Sequence, residues 1–243
     1  MKCVILAGGK GSRLSEYTKK IPKPMVKIGN KPIITHIIEY YKYYGVKEFI
    51  IATGYKHKII RKYFKDNKNI KVVDTGLNTL TGKRIKLLQR YFKENENFYL
   101  TYGDGLSNVD LKKLLKFHLL HKKISTLTAV HPPARFGELK IKKNNTIISF
   151  EEKPQLGGGW INGGFFILNS KIFKVLNNKN VMLERQPMQK LLIKNELMAY
   201  KHEKFWYCMD NLRDIEVLNK IYKSKKIPWK KKKWRKYFLS QYL

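Results

Sequence analysis

Short apolar runs alternate with segments of helical periodicity along the first half of the chain, and this alternation restricts the fold more than any other feature. The strand-like runs occupy residues 2–7, 48–53, 70–74 and 97–102, and the helical patterns occupy 32–44, 56–66, 80–92 and 110–121. Strands separated by helices of this length usually pair in parallel, with helices covering both faces of the sheet. The alternation therefore predicts an α/β fold with a mainly parallel sheet.

The pattern changes near residue 124. Four short strand-like runs follow, at 125–130 ("STLTAV"), 137–142 ("GELKIK"), 146–153 ("TIISFEEK") and 161–168 ("INGGFFIL"). These runs predict a small antiparallel or mixed extension of the sheet. After them we expect helices at 171–178 and 184–194, a strand pair at 196–201 and 204–208, and a last helix at 211–224. We assign residues 1–222 to one domain and 223–243 to a basic, aromatic C-terminal tail.

The chain is strongly basic, with 51 Lys+Arg against 18 Asp+Glu and a formal net charge of +33. Such a charge would suit a nucleic-acid or membrane-surface partner. Only eight of the basic residues are arginine, the residue that dominates specific base and phosphate contacts. We therefore interpret the charge as lysine spread over solvated faces and predict no specific nucleic-acid partner. Weak contact of the tail (223–238) with an anionic surface remains an alternative, beside a solvated helix or a subunit contact.

The sequence shows no targeting or membrane-spanning segment, and its cysteines do not have the spacing of a metal site. The apolar runs are too short to span a bilayer, and the N-terminal one is too short for a secretory signal. Cys3 and Cys208 are far apart and lack the spacing of a metal site. We expect Cys3 to pack inside a strand and Cys208 to be a small buried hydrophobe, with a place near a site as the less favoured alternative for Cys208. These features predict a cytoplasmic protein.

A glycine-rich turn, "LAGGKGSRL" (6–14), follows the first predicted strand. A turn of this kind at the carboxyl end of a parallel strand is typical of phosphate binding. A P-loop needs Ser or Thr where Gly11 stands, and a dinucleotide fingerprint needs a third glycine where Leu14 stands. The remaining interpretation is a backbone cradle for a nucleoside triphosphate, with Arg13 as a guanidinium fork for phosphate oxygens. A plain tight turn is the less favoured alternative.

Three further charged side chains suit phosphate chemistry. Lys23 lies between two prolines in "IPKPM", which we expect to hold the chain stiffly extended and its ammonium in place. Asp104 follows an apolar strand and is flanked by Gly103 and Gly105. A carboxylate at this position could bind Mg²⁺ or cap a turn. Asp210 could be a second metal ligand or the N-cap of the last helix. We expect Asp214 to pair with Arg213 or to be solvated.

Six motifs together resemble the signature of the sugar-nucleotide pyrophosphorylases, over roughly residues 1–230. They are "LAGGKGSRL…PKPM", "VDTG…TGKR" (73–84), "TYGDGL" (101–106), "FEEKP" (150–154), "INGGFFIL" (161–168) and "FWYCMDNLRD" (205–214). The resemblance implies a Rossmann-like nucleotidyltransferase fold that requires Mg²⁺. It also implies transfer of a nucleoside monophosphate from a triphosphate to a hexose 1-phosphate with release of pyrophosphate. CTP and glucose 1-phosphate are the favoured substrates; UTP, dTTP, GTP, another sugar phosphate, or a regulatory relative without turnover are the alternatives.

The same resemblance implies roles for individual residues. The catalytic set is Arg13, Lys23, Asp104, Lys153 and Asp210, of which Asp104 and Asp210 would hold the metal. The nucleotide would contact Leu6, Ala7, Gly8, Gly9, Lys10, Gly11, Ser12, Arg13, Lys23, Thr79, Arg84 and Gly103. The sugar phosphate would contact Glu152, Lys153, Asn162, Gly163 and Glu184. Of the loop residues, we expect Lys10 to be replaceable and Arg13 not to be.

The resemblance also divides the domain into a nucleotide-binding half (1–123) and a sugar-phosphate-binding half (124–222), and it implies a homo-oligomer. The chain departs from the family between 62–69 and 72–76, where members that use CTP carry an insertion. That segment lies near the base and the subunit contacts in such enzymes. Its absence leaves the base and the oligomeric state open.

Overall fold

The structure is a computed structural model that describes residues 1–133, 138–151 and 159–230. Its strands are β1 (Lys2–Ala7), β2 (Lys27–Ile28), β3 (Lys31–Pro32), β4 (Glu48–Thr53), β5 (Ile70–Asp74), β6 (Asn97–Tyr102), β7 (Gly105–Ser107), β8 (Ser125–Val130), β9 (Glu138–Ile141), β10 (Ile147–Glu151), β11 (Ile161–Asn169), β12 (Leu197–His202) and β13 (Trp206–Cys208). Its α-helices are α1 (Ser15–Thr18), α2 (Ile33–Tyr43), α3 (His57–Tyr63), α4 (Thr81–Lys86), α5 (Leu111–His121), α6 (Ile172–Val175), α7 (Gln186–Ile193) and α8 (Leu212–Lys223). Three 3₁₀ turns occupy Ser12–Leu14, Lys23–Met25 and Gln89–Tyr91.

The centre of the fold is a seven-stranded sheet in the order β12-β8-β11-β6-β1-β4-β5. The pairs β6-β1, β1-β4, β4-β5 and β12-β8 are parallel. Only β11 runs against its neighbours in this sheet, since it pairs antiparallel with both β6 and β8. Smaller antiparallel pairs are β9-β10, β7-β13 and β2-β3. The predicted α/β class, with a mixed, mainly parallel sheet and a small antiparallel extension, is confirmed.

Helices cover both faces of this sheet, which explains why its strands are continuously apolar. Along β1, Cys3 and Ile5 belong to the core beneath α2, α3, α5 and α8. Val4 and Leu6 point the other way, into the core beneath α4, α6 and α7. Because successive strand residues alternate between faces, a strand buried on both sides carries no polar alternation.

The predicted bounds of β1, β4, β5 and β6 agree with the structure at every residue. The predicted helix at 80–92 is shorter, because α4 ends at Lys86 and a 3₁₀ turn follows. The predicted pairing of 196–201 with 204–208 is wrong. Both segments are strands, but β12 pairs with β8 in the large sheet and β13 pairs with β7.

The chain beyond α8 returns to the domain. Trp229 is buried between Phe205, at a ring-centroid distance of 5.5 Å, and His36, at 6.1 Å. Its indole Nε1 donates to Nδ1 of His36 over 3.4 Å. This part of the basic aromatic segment therefore contributes to the core. No helix in the described part of the chain is long and apolar enough to cross a bilayer.

Candidate active site

A cleft of about 860 Å³ opens at the carboxyl edge of the sheet. It lies where β1 separates β4 from β6, the position at which open α/β sheets bind ligands. The backbone there is tied together, because Gly103, just after β6, donates its N–H to the carbonyl of Leu6 over 3.0 Å. The cleft has the size of a small-molecule site.

The glycine turn forms one wall of the cleft, and the local geometry favours glycine at two of its positions. Gly11 has φ +64°, a left-handed conformation that glycine adopts without strain. Gly8 lies against the guanidinium of Arg84, and a Cβ on Gly8 would stand 2.1 Å from Cζ of Arg84. The turn therefore brings bare backbone to the cleft, as the sequence predicts for a phosphate cradle.

Arg84 is a buried cation beneath this turn. Its Nη1 donates to the carbonyl of Thr53 over 2.5 Å and to the hydroxyl of Thr75. Its Nη2 donates to the carbonyls of Gly76 over 3.2 Å and Thr79 over 2.6 Å. Burial lowers the pKa of Arg84, and the nearby Asp74 partly offsets that shift. These acceptors are all neutral oxygens, so the positive charge of Arg84 contributes to the potential under the glycine turn.

Lys23 connects the two predicted metal carboxylates. Its Nζ lies 2.5 Å from Oδ2 of Asp104 and 2.7 Å from Oδ1 of Asp210. Burial opposes the charged form, but the carboxylates of Asp104 and Asp210 outweigh burial and raise the pKa of Lys23. Lys23 therefore remains an ammonium at neutral pH. The expectation of an extended chain is wrong for Lys23, since Pro22 is extended but Lys23 begins a 3₁₀ turn.

Asp210 points into the cleft because its neighbour caps the helix. Asn211 is the N-cap of α8, and its side chain accepts from the backbone N–H of Asp214 over 3.1 Å. Oδ2 of Asp214 in turn accepts from the backbone N–H groups of Asp210 and Asn211, over 2.7 and 2.9 Å. The prediction that Asp214 pairs with Arg213 or is solvated is wrong: Asp214 is buried and completes a capping box. The spacing N-x-x-D in "NLRD" was the available signal.

The charged residues of the turn differ in placement. Arg13 is exposed along most of its length and donates through Nη1 to Oδ2 of Asp210. Lys10 and Ser12 are exposed and do not line the cleft. Arg13 thus reaches the same carboxylate as Lys23, whereas Lys10 does not belong to this cluster of charges.

The opposite wall consists of hydroxyl, amide and indole groups. The hydroxyl of Tyr102 donates to Oε1 of Glu184, and the hydroxyl of Thr81 donates to Oε2 over 2.6 Å. Nδ2 of Asn162 lies 3.4 Å from the Tyr102 hydroxyl. Burial and the Glu184 carboxylate raise the pKa of Tyr102, so its hydroxyl stays protonated. Nε1 of Trp206, which the sequence analysis did not single out, donates to the carbonyl of Gly163 over 2.7 Å.

The fold brings most of the predicted site residues to this one cleft. Those that line it are Leu6, Ala7, Gly8, Gly9, Gly11, Lys23, Arg84, Gly103, Asp104, Asn162, Gly163 and Asp210. Glu184 stands behind the wall that Tyr102 and Thr81 form, and Thr79 stands behind Arg84. Glu152 and Lys153 lie outside the described residues. Lining residues that sequence reasoning missed include Thr81, Tyr102, Trp206, Tyr207 and Asn211.

Two carboxylates and a thiol could hold a metal ion here. One ligand atom from each of Asp104, Cys208 and Asp210 lies within 4.8 Å of the other two. The Lys23 ammonium between the carboxylates shows that a cation fits this position. The expectation for Cys208 needs sharpening, since the thiol is half-buried and lines the cleft rather than the core. Burial, with the nearby Asp104, raises the pKa of Cys208.

The fold and the cleft define a nucleotidyltransferase. Residues 2–224 match the nucleotidyl transferase family model, and the chain belongs to this family. It is similar to glucose-1-phosphate cytidylyltransferase of Salmonella typhimurium, with 43% identity over 95% of this chain and 99% of the relative. It is also similar to D-glycero-alpha-D-manno-heptose 1-phosphate guanylyltransferase of Campylobacter jejuni, with 36% identity over 91% and 97%. Among solved structures, HddC from Yersinia pseudotuberculosis complexed with GMP-PN shares 28% identity over 91% of this chain and 99% of that chain, with a TM-score of 0.70.

Proposed function

We propose that this protein transfers CMP from CTP to α-D-glucose 1-phosphate, producing CDP-glucose and diphosphate. The observation that carries the proposal is the cleft where β1 separates β4 from β6. A glycine turn, Lys23 and the carboxylates of Asp104 and Asp210 meet there. The similarity to the Salmonella typhimurium cytidylyltransferase over nearly the whole chain supports the choice of CTP and glucose 1-phosphate.

In the proposed reaction, a phosphate oxygen of glucose 1-phosphate attacks the α-phosphorus of the triphosphate. A bond forms between that oxygen and the α-phosphorus, and the bond to the β-phosphate oxygen breaks, so diphosphate leaves. The nucleophile and the leaving group both belong to the substrates. The chain therefore contributes positioning and charge neutralisation rather than a covalent intermediate.

The glycine turn and the two cations would bind the triphosphate. The backbone N–H groups of Gly8 to Gly11 would hold phosphate oxygens, and Arg13 and Lys23 would turn from the carboxylates to the phosphates. That movement frees the oxygens of Asp104 and Asp210, which would hold Mg²⁺. Bound Mg²⁺ supplies further neutralisation of the phosphate charge.

The opposite wall of the cleft, with its hydroxyl, amide and indole groups, would bind the hexose. The amide of Asn162 can donate to one hydroxyl and accept from another, while Gly163 leaves room for the ring. We propose that Lys153 contacts the sugar phosphate and that Glu152 and Glu184 act at the sugar hydroxyls, Glu184 through the Tyr102 hydroxyl. Thr79 and Arg84 would act at the base end, and Gly103 at the ribose.

The remaining assignments follow from the same proposal. Residues 1–123 would form the nucleotide-binding half and residues 124–222 the sugar-phosphate-binding half. Homo-oligomeric assembly, a cytoplasmic location and a role in supplying activated sugar for polysaccharide synthesis stay predictions.

Transfer from GTP is the second candidate, and one observation favours it. The connection from α3 to β5 is a tight turn, closed by hydrogen bonds from Asn67 N–H to the carbonyl of Phe64 and from Ile70 N–H to that of Asn67. The alignment with the cytidylyltransferase covers 255 residues, more than this whole chain, so that relative carries residues that are absent here. The alignment with the guanylyltransferase covers 226 residues. The short connection between α3 and β5 thus resembles the guanylyltransferase, whose alignment is shorter, more than the cytidylyltransferase.

A substrate panel tests both candidates. The protein would be incubated with Mg²⁺, glucose 1-phosphate and CTP, UTP, dTTP or GTP in turn, and diphosphate would be measured. Fast release with CTP alone is the expected result. Release with GTP instead would transfer the assignment to the second candidate. A panel repeated with mannose 1-phosphate and a heptose 1-phosphate, and still without release, would rule out the proposed reaction class.

A further inference from the structure

Cys208 is the feature of the cleft that the proposed reaction does not use. Cys208 is the last residue of strand β13 and pairs with Gly105 of β7. Gly105 directly follows Asp104 in the chain, so the pairing brings Cys208 next to Asp104. Its half-buried thiol lines the cleft. The other cysteine, Cys3, is fully buried within β1 and takes no part in the cleft. Any sulfur chemistry at this site therefore belongs to Cys208.

The thiol and the two carboxylates surround a position that suits a cation. Their ligand atoms lie within 4.8 Å of one another. The ammonium of Lys23 already lies 2.5 and 2.7 Å from the two carboxylate oxygens. Zn²⁺ binds sulfur at about 2.3 Å and carboxylate oxygen at about 2.0–2.2 Å. Closure of the three atoms around such an ion requires small side-chain shifts.

The chemistry of the donor set distinguishes between metals. Mg²⁺ prefers oxygen ligands and keeps several waters, so it would use the carboxylates alone. Zn²⁺ and Co²⁺ accept sulfur together with oxygen and are stable with four ligands. One sulfur and two carboxylate oxygens would supply three of these ligands, and water or a phosphate oxygen would supply the fourth.

We propose that Cys208 is a third protein ligand at the Asp104–Asp210 site for thiophilic divalent ions such as Zn²⁺ and Co²⁺. The inference deepens the proposed function, since it rests on Asp104 and Asp210 as the metal carboxylates. On binding, the S–H bond breaks, a metal–sulfur bond forms and the proton passes to the buffer, while the metal remains divalent. Binding also requires the Lys23 ammonium to leave its place between the carboxylates. The thiol thereby makes the site selective for thiophilic ions over Mg²⁺.

The test is a titration of the full chain with Co²⁺ alone, after chelation and under reducing conditions. Thiolate bound to Co²⁺ produces a charge-transfer absorption band in the near ultraviolet, and this band needs no turnover. We expect the band in the wild type and in Cys3→Ala, which keeps Cys208 as the single cysteine. We expect no band in Cys208→Ser or Cys208→Ala. Zn²⁺ should abolish the band by displacing Co²⁺.

Affinity gives a second readout. In competition with a chromophoric chelator, Cys208→Ser should bind Zn²⁺ about 10- to 100-fold more weakly, and the ratio of Zn²⁺ to Mg²⁺ affinity should fall by a similar factor. Asp210→Asn should weaken the Co²⁺ band at equal metal concentration. A wild type without the band, or a band that persists in Cys208→Ser, would overturn the proposal. Failure of the nucleotide panel alone would leave the Co²⁺ result unchanged, so the two hypotheses fail separately.

Discussion

At one end of the cleft, Arg13 and Lys23 hold the carboxylates of Asp104 and Asp210 through charge. At the other end, hydroxyl, amide and indole groups surround the partly buried Glu184 and the backbone of Gly163. In the proposed reaction the charged end would rearrange, because phosphate and metal compete for its ion pairs, whereas the side chains of the hydrogen-bonded end are already held by one another. Substitutions at the charged end should therefore affect the chemical step, and substitutions at the hydrogen-bonded end should affect sugar binding.

Asp104→Asn should produce the largest effect, because it removes a proposed metal carboxylate and one partner of Lys23. We expect diphosphate release to fall by more than about 100-fold. Thermal unfolding of both proteins would check that the fold persists. Glu94→Gln, at an exposed carboxylate in the turn before β6 and outside the cleft, is the control and should keep wild-type activity. Equal losses in the two variants would contradict a specific role for Asp104.

Arg13→Gln and Lys10→Gln separate position from charge at the same end, since each removes one positive charge from the glycine turn. Arg13 reaches Asp210 and Lys10 does not line the cleft. We expect Arg13→Gln to lower kcat/KM for the triphosphate by about 10- to 100-fold, and Lys10→Gln to change it by less than about twofold. Comparable losses would show that general positive charge, rather than a positioned guanidinium, serves this end.

Trp206→Phe tests the hydrogen-bonded end. It removes the indole N–H bond to the carbonyl of Gly163 and keeps an aromatic ring. Loss of one such bond corresponds to about 0.5–1.5 kcal/mol, so KM for the sugar phosphate should rise by about twofold to thirteenfold with little change in kcat. Tyr91→Phe, outside the cleft, is the control. A fall in kcat with unchanged KM would break the division between the two ends.

His118→Gln should leave both ends of the cleft unchanged and reduce the pH dependence of folding. Burial, and then the neighbouring His121, lowers the pKa of His118 from 6.5 to about 4. The unfolded chain therefore binds this proton more readily, so the free energy of unfolding is maintained above about pH 6.5 and falls as the pH drops towards about 4. The loss is on the order of 3 kcal/mol. Urea denaturation at several pH values should show a flatter dependence in the variant than in His57→Gln.

The strands of the sheet were predictable because burial on both faces makes them apolar throughout. The short strand β7 was not, since Gly105 to Ser107 become a strand only by pairing with β13, a hundred residues later. Pairing partners at such distances leave no local signal. The same limit explains the wrong pairing of β12 with β13, because chain proximity favoured a hairpin that the large sheet replaces.

Within the site, the residue types were predictable and their contacts were not. The motifs indicated Lys23, Asp104 and Asp210 from their own neighbours, but no local pattern shows that Lys23 bridges the other two. Asp214 illustrates the same point, because a carboxylate beside an arginine suggests a surface ion pair until the capping box is seen. Contact between residues far apart in the chain depends on how the strands are ordered.

Local patterns in the sequence indicated the α/β class, the extents of the central strands and the kinds of group proposed to bind phosphate, because burial and backbone freedom act locally. The folded chain was needed to show that Cys208 faces the carboxylates, that Arg84 lies beneath Gly8 and that Asn211 rather than Asp210 caps α8. These arrangements arise where the carboxyl ends of β1, β4 and β6 converge with β13. Convergence of distant segments is a property of the folded sheet rather than of any stretch of chain.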